Sequence, residues 1–115
     1  MFSHAELTIH RVREGDREVV AACGRLDLWS AWEFERELRR VEATDVSEIV
    51  VDLADLQFID AAGMEVVSNA SARSRHHSKR LMIRGADQAV RHTFEHSGLL
   101  SPLPLGDREL SARLS

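Results

Sequence analysis

The chain has 115 residues, a net charge of −4, 43% hydrophobic and 30% charged residues, which is typical of one soluble globular domain without a basic footprint for nucleic acid. Cys23 is the single cysteine, so an intramolecular disulfide and a cysteine-based zinc site are excluded. Because no apolar run could span a membrane and the first residues lack a signal-peptide pattern, we expect a cytoplasmic protein without membrane insertion.

The first part of the chain has the pattern of a β-hairpin followed by a helix. Residues 5–12 alternate polar and apolar side chains, and a second strand pattern covers residues 17–23 after a turn at Gly15. Residues 24–27 break the strand pattern. A helix is predicted from about Ser30 to Glu42, because apolar residues recur there at helical spacing. The apolar residues of this stripe are Ala31, Phe34, Leu38 and Val41.

The second part alternates strands and helices around one central turn. Residues 48–53 have a buried-strand pattern, residues 54–57 link it to the turn, and a helix is predicted over about 62–77. A strand over residues 80–84 precedes a third helix over about 87–97. The side chains predicted to face inward from these two helices are Met64, Val67, Ala70, Ser71, Ser74, Ala89, Val90 and Phe94.

This order of elements predicts an α/β fold, in which helices pack on a mixed sheet. Strands joined by crossover helices should run parallel, with right-handed connections. We expect one domain over residues 1–115, with a core at about 5–105 and a C-terminal tail at 106–115.

Four short motifs resemble, in order and spacing, the motifs of one known family. Gly24-Arg25-Leu26-Asp27 resembles a turn before the first helix, and Val50-Val51-Asp52-Leu53 resembles a central strand. Phe58-Ile59-Asp60-Ala61-Ala62-Gly63-Met64 resembles an Asp-Ser-Ser/Thr-Gly-Leu turn, and Ser97-Gly98-Leu99-Leu100 resembles the end of the last main helix. The family is the STAS domain, and within it the chain is most similar to single-domain anti-sigma factor antagonists.

The resemblance implies a STAS-like mixed β-sheet of four to five strands, with helices packed mainly on one face. It also implies a non-enzymatic binding role, because the family's antagonists bind an anti-sigma factor of the ATP-binding serine kinase type and release a sigma factor. That partner phosphorylates the first serine of the Asp-Ser-Ser/Thr-Gly turn. The phosphate adds about two negative charges and ends the complex by repulsion and desolvation.

The chain departs from the family at this phosphorylation site. Ala61 occupies the acceptor position and Ala62 the following hydroxyl position, and alanine cannot accept a phosphoryl group. Asp60 and Gly63 remain, so the turn should be intact. Glu65 stands where the family favours glycine, and helical geometry aligns it with Ala62 on the expected partner surface.

Two explanations of this departure stay open. The chain is either an antagonist that binds its anti-sigma factor without phosphorylation control, or a protein that has left the switching cycle and uses Glu65 for another partner. In both cases one surface is predicted to bind the partner. Its residues are Asp27, Trp29, Trp32, Asp60, Ala61, Ala62, Gly63, Glu65 and Asn69.

Several of these residues also have a purely structural interpretation. Asp60 is expected to cap the following helix or to contact the partner directly, and Asp27 either stabilises its own loop or touches the partner. Trp32 falls on the helix face opposite the core, where an exposed tryptophan suits a binding hot spot. The alternative is that it packs on the hairpin or on the loop before the helix.

Other chemistry has little support in the sequence. His92 and His96 have a spacing that can hold a metal but lack a third ligand, so we predict no metal site and no cofactor. The basic run from Arg73 to Arg80 favours a solvated helix end over an anion site, and Cys23 should be a small core residue. No nucleophile set, phosphate-binding glycine loop or paired carboxylate is present, so an enzyme is not expected.

Two rival functions and one assembly stay open at this point. Some lone STAS proteins are accessory subunits of transporters of the lipid export type, and others are ligand-sensing domains. Thermal stabilisation by a nucleotide or lipid would favour the sensing role. A homodimer is also compatible with the sequence.

Overall fold

The computed structural model describes residues 6–97, which form a five-stranded mixed sheet and three helices. The elements in chain order are β1 (Leu7–Glu14), β2 (Arg17–Leu26), α1 (Ala31–Glu42), β3 (Glu48–Asp52), β4 (Leu56–Ile59), α2 (Ala61–His76), β5 (Arg80–Arg84) and α3 (Gln88–Ser97). This architecture confirms the predicted α/β fold. The predicted tail at 106–115 lies outside the described residues.

The strand order is β1-β2-β3-β5, with β4 paired to β2. The hairpin pair β1 and β2 is antiparallel, whereas β2–β3, β3–β5 and β2–β4 are parallel. The crossing from β2 to its parallel neighbour β3 contains α1, and the crossing from β3 to its parallel neighbour β5 contains β4 and α2, because parallel neighbours need a long connection. Both helices therefore begin at the edge of the sheet where β2 and β4 end.

Two features of the sheet correct the sequence interpretation. The predicted break at residues 24–27 is wrong, because β2 continues to Leu26 with a shift of register beside Gly24. Gly24 has a φ of 101°, and a Cβ there would overlap the carbonyl oxygen of Glu6. Residues 54–57 are not all linker, since β4 begins at Leu56. Its burial pattern, with both ends inside and the middle exposed, lacks the alternation that identifies strands.

The core lies between the sheet and the helices. All four residues of the predicted α1 stripe are buried, as are the predicted inward residues of α2. In α3, Val90 and Phe94 are buried and join the same core cluster. Ala89 is exposed, which corrects its inward prediction, because it precedes the buried stripe by one residue and so points about 100° away from Val90.

The helices α1 and α2 lie side by side and begin at the same edge of the sheet. Arg73 Nε donates to Glu42 Oε1 at 2.8 Å, and Arg73 Nη1 donates to Glu35 Oε2 at 3.2 Å. Lys79 Nζ donates to the carbonyl oxygen of Thr44 at 2.8 Å. The basic run at the end of α2 is therefore only partly a solvated helix end, because these two cations bind α1 and the loop that follows it.

Candidate functional site

Two loops meet at the edge of the sheet where β2 and β4 end, and Asp60 joins them. Its Oδ1 accepts a hydrogen bond from the Gly63 N–H at 3.1 Å, which caps α2. Its Oδ2 accepts one from the Leu28 N–H at 3.0 Å, in the loop before α1. Both carboxylate oxygens are thus used inside the protein. This supports the capping role predicted for Asp60 and fixes the two loops relative to each other.

Asp27 has a similar structural role in the loop before α1. It is buried, and its Oδ1 accepts the Trp29 N–H at 3.0 Å, while Arg25 Nε lies 3.5 Å from its Oδ2. The Ser30 hydroxyl accepts the Asp27 N–H at 3.0 Å and donates to the Arg25 carbonyl oxygen at 2.8 Å. Burial raises the pKa of Asp27, but the hydrogen bonds that it accepts outweigh burial and lower the pKa below its ordinary value. Asp27 therefore stabilises its own loop.

Gly63 lies in a close contact between α2 and the sheet. A Cβ built on it would be 2.5 Å from the Leu26 carbonyl oxygen and 2.9 Å from Ile59 Cγ1. The residue is buried, so it sets how closely α2 approaches β2 and is not accessible to a partner. Gly63 and Asp27 therefore support the predicted surface from inside the protein, Gly63 through the packing of α2 on the sheet and Asp27 through the loop before α1.

The remaining predicted residues of α2 lie on its solvent side. Ala61, Glu65 and Asn69 are exposed, and Ala62 is half-buried against the core. Ala61 is the first residue of the helix, so its methyl group stands at the start of the exposed face. The predicted alignment of Glu65 and Asn69 with Ala62 is consistent with this burial pattern.

Both tryptophans project into solvent, Trp29 from the loop before α1 and Trp32 from the first turn of α1. Trp29 is 65% exposed and Trp32 is 58% exposed, so neither ring is packed into the body of the protein. The Arg36 guanidinium lies 5.0 Å from the centroid of a Trp32 ring, which is cation–π geometry. Such large exposed aromatic surfaces are the kind that dominate binding at interfaces.

Helical spacing shows where the exposed residues of α1 and α2 lie relative to the contact between the two helices. Successive helical residues are about 100° apart, which places Trp32 about 60° from Glu35. The same spacing places Asn69 about 40° from Arg73 on α2. Because Glu35 and Arg73 form an ion pair between the helices, Trp32 and Asn69 lie close to the sides of α1 and α2 that face each other. We call this exposed region the rim surface. It comprises Leu28, Trp29, Trp32, Ala61, Ala62, Glu65 and Asn69.

Sequence reasoning missed two apolar residues near this edge. Leu28 is 69% exposed, and it belongs to the loop that Asp60 holds. Phe58 is 38% exposed and stacks under the Arg25 guanidinium, 4.0 Å from its ring centroid. Leu28 could have been noticed as an apolar residue between a turn and a helix start, whereas Phe58 required knowledge of β4.

Other candidate groups lie apart from the rim surface. The His92 and His96 rings are 4.1 Å apart between centroids. No cluster of three or more histidine, cysteine, aspartate or glutamate side chains suited to a metal ion occurs within residues 6–97. Cys23 is half-buried rather than fully in the core, and burial raises the pKa of its thiol. In the same part of the chain, no helix has the length and apolar character of a membrane span.

Comparison of the chain with protein-family models identifies its family. The family model described as "Mlab, STAS domain" matches residues 9–104, so the chain belongs to the STAS domain family. No curated protein matches the chain significantly in sequence.

Solved structures share the fold at low sequence identity. An anti-sigma factor antagonist from Mycobacterium paratuberculosis is 21% identical, with a TM-score of 0.77 and 96% of each chain covered. The anti-sigma factor antagonist SpoIIAA in its unphosphorylated form is 18% identical, with a TM-score of 0.72 over 95% of this chain and 96% of that chain. The murine anion transporter Slc26a9 is 12% identical, with a TM-score of 0.70 over 87% of this chain but 18% of the transporter.

Proposed function

We propose that this chain is a non-enzymatic interaction module that binds an anti-sigma factor through the rim surface, as an anti-sigma factor antagonist. The carrying observation is that Trp29 and Trp32 are exposed in and just after the loop that Asp60 joins to the start of α2. Rigid aromatic side chains held in this way lose little conformational freedom on binding. The likeness to two antagonists over nearly their whole length supports the same assignment.

We further propose that the partner is of the ATP-binding serine kinase type and that phosphorylation does not control the complex. Ala61 is exposed at the first position of α2, where the family resemblance places the acceptor serine. A methyl group offers no oxygen for phosphoryl transfer, so the module stays competent to bind. Its place of action is then the cytoplasm, where sigma factors work.

Calorimetry against each anti-sigma factor of the source organism tests this function. Wild type should bind one of them, and Trp32→Ala should weaken that binding about 30-fold, the effect of losing a hot spot of about 2 kcal/mol. Val12→Ala is the matched control, because Val12 is 53% exposed on β1, outside the rim surface. Binding to none of the anti-sigma factors would refute the function, and equal loss in both variants would refute the surface.

A second candidate function is an accessory subunit of a transporter. The observation that favours it is the structural likeness to part of the anion transporter Slc26a9. Affinity purification of the tagged chain from membranes of the source organism distinguishes the two functions. Stoichiometric recovery with a permease and its ATP-binding subunit, without an anti-sigma factor, would support the transporter role.

A further inference from the structure

Glu65 is an uncompensated carboxylate in the middle of the rim surface. It is exposed on α2, and within residues 6–97 it forms no ion pair. Its neighbours one turn before and one turn after are Ala61 and Asn69, neither of which carries a charge. Nothing on its own helix face therefore balances this negative charge.

Three arginines of α1 and α2 are already engaged in other contacts. Arg73 binds Glu35 and Glu42 across the helix pair, Arg39 binds Glu35 at 2.7 Å, and Arg36 stacks on Trp32. If one of these arginines paired with Glu65 instead, the protein would lose an ion pair of α1 or the contact between Arg36 and Trp32. Among the described residues these three arginines are therefore engaged, which leaves a cation of the partner as the counter-charge for Glu65.

The position of Glu65 makes this compensation a condition of binding. Glu65 lies one turn after Ala61 on the exposed side of α2, so a protein that covers this side of α2 together with the Trp32 ring removes water from its carboxylate. An ion that loses its water without gaining an opposite charge or hydrogen-bond donors disfavours the complex strongly. A partner with a cation at that point replaces the water lost from the Glu65 carboxylate by an ion pair. The same ion pair fixes how the partner is oriented on the rim surface, because charge complementarity selects one arrangement of the two proteins.

We propose that the rim surface selects a protein segment that presents a lysine or arginine to Glu65 beside an apolar side chain packed on Trp32. The proposal rests on the proposed function in that both use the rim surface. It adds that the partner segment carries a positive charge at this point, so an acidic or uncharged segment does not meet the requirement.

In-cell photo-crosslinking tests the character of that segment even while the partner is unidentified. A benzophenone amino acid replaces Asn69 in the full chain, which is expressed in the source organism and irradiated. The captured peptide is then sequenced by mass spectrometry. The same capture is repeated with Glu65→Arg, with the uncharged Glu65→Gln, and with Glu95→Arg. Glu95 is exposed on α3, so this control changes the net charge equally at a site away from the rim surface.

We expect the captured peptide to contain a lysine or arginine, with capture reduced about tenfold in Glu65→Arg and about threefold in Glu65→Gln. Glu95→Arg should capture as wild type does, and thermal unfolding should confirm that all variants are folded. An acidic or uncharged captured peptide, capture unaffected by Glu65→Arg, or no capture at all would overturn the proposal. A basic peptide that belongs to a protein other than an anti-sigma factor would keep this inference and refute the proposed function.

Discussion

Replacement of Gly63 by alanine tests how α2 is seated on the sheet. Gly63 is a helical residue, so alanine should favour the helix by about 1 kcal/mol if nothing else changed. The added Cβ would instead lie 2.5 Å from the Leu26 carbonyl oxygen and 2.8 Å from Leu26 Cγ. That oxygen cannot move freely, because it accepts the Asp60 N–H at 3.3 Å.

The two effects oppose each other, and their sizes decide the sign. Overpacking against a fixed backbone atom costs about 3 kcal/mol, the upper part of the usual range. Subtracting the gain in helix propensity of about 1 kcal/mol leaves Gly63→Ala destabilised by about 2 kcal/mol. For a domain of this size that corresponds to a fall in melting temperature of about 10 °C.

Guanidinium unfolding of wild type and Gly63→Ala measures this difference as a shift of the midpoint. Ala72→Gly is the matched control, since Ala72 is exposed on the same helix and its replacement should cost about 1 kcal/mol through propensity alone. If Gly63→Ala unfolds at or above the wild-type midpoint, α2 does not approach β2 closely enough for the Cβ to clash, and the rim surface is seated differently.

Four further predictions concern the same region and the helix behind it. Asp60→Ala should lose the α2 cap and the bond to Leu28, lowering the free energy of unfolding by about 2 kcal/mol, whereas Asp60→Asn should lose less; equal losses in a denaturation experiment would contradict this. Ser74→Ala should stabilise by about 1 kcal/mol, because the Ser74 hydroxyl is fully buried and has no hydrogen-bond partner among residues 6–97, and a lower midpoint would show that the hydroxyl is bonded. Because the folded-state pKa of Asp27 is lowered, its charged form adds stability that is present above the ordinary aspartate pKa of 3.8 and lost as pH falls through the folded value. Asp27→Asn should therefore unfold with a shallower acid-side dependence, and an unchanged slope would contradict it. Wild type should accept no radiolabelled phosphate from a cognate kinase, whereas Ala61→Ser should; a phosphopeptide from residues 58–72 of wild type would disprove this.

Local patterns predicted the elements that bury a regular stripe of side chains. The α1 stripe at Phe34 and Leu38 and the β5 strand over Arg80–Arg84 are as expected, since each pattern repeats with the period of its element. Strand β4 was missed because it contributes two buried residues in four positions. The extension of β2 past Gly24 was missed because glycine there permits a bend that keeps the strand paired.

The adjacency of two segments of the candidate site was predicted and is observed, whereas its binding role stays a prediction. Motif order indicated that the turn at Asp60 and the loop at Asp27 would lie together. Helical spacing had placed Trp32 on the face opposite the core, but only the structure showed that Asp27 and Gly63 are buried and that Trp29 is exposed. That difference depends on how closely α2 approaches β2, which sequence spacing does not encode.

The sequence by itself determined that this chain is an α/β domain with a capped helix after a central turn, and that alanine stands where a hydroxyl would be needed. The first property is local, because it follows from periodicity and from the chemistry of the capping residue, whereas the second follows from the resemblance of residues 58–64 to the family's turn. The tertiary structure alone decided that loops 32 residues apart share the Asp60 carboxylate and that Arg73 of α2 pairs with Glu35 and Glu42 of α1. A hydrogen bond or ion pair between distant segments forms only when the packed core brings them together, so no local pattern can specify it.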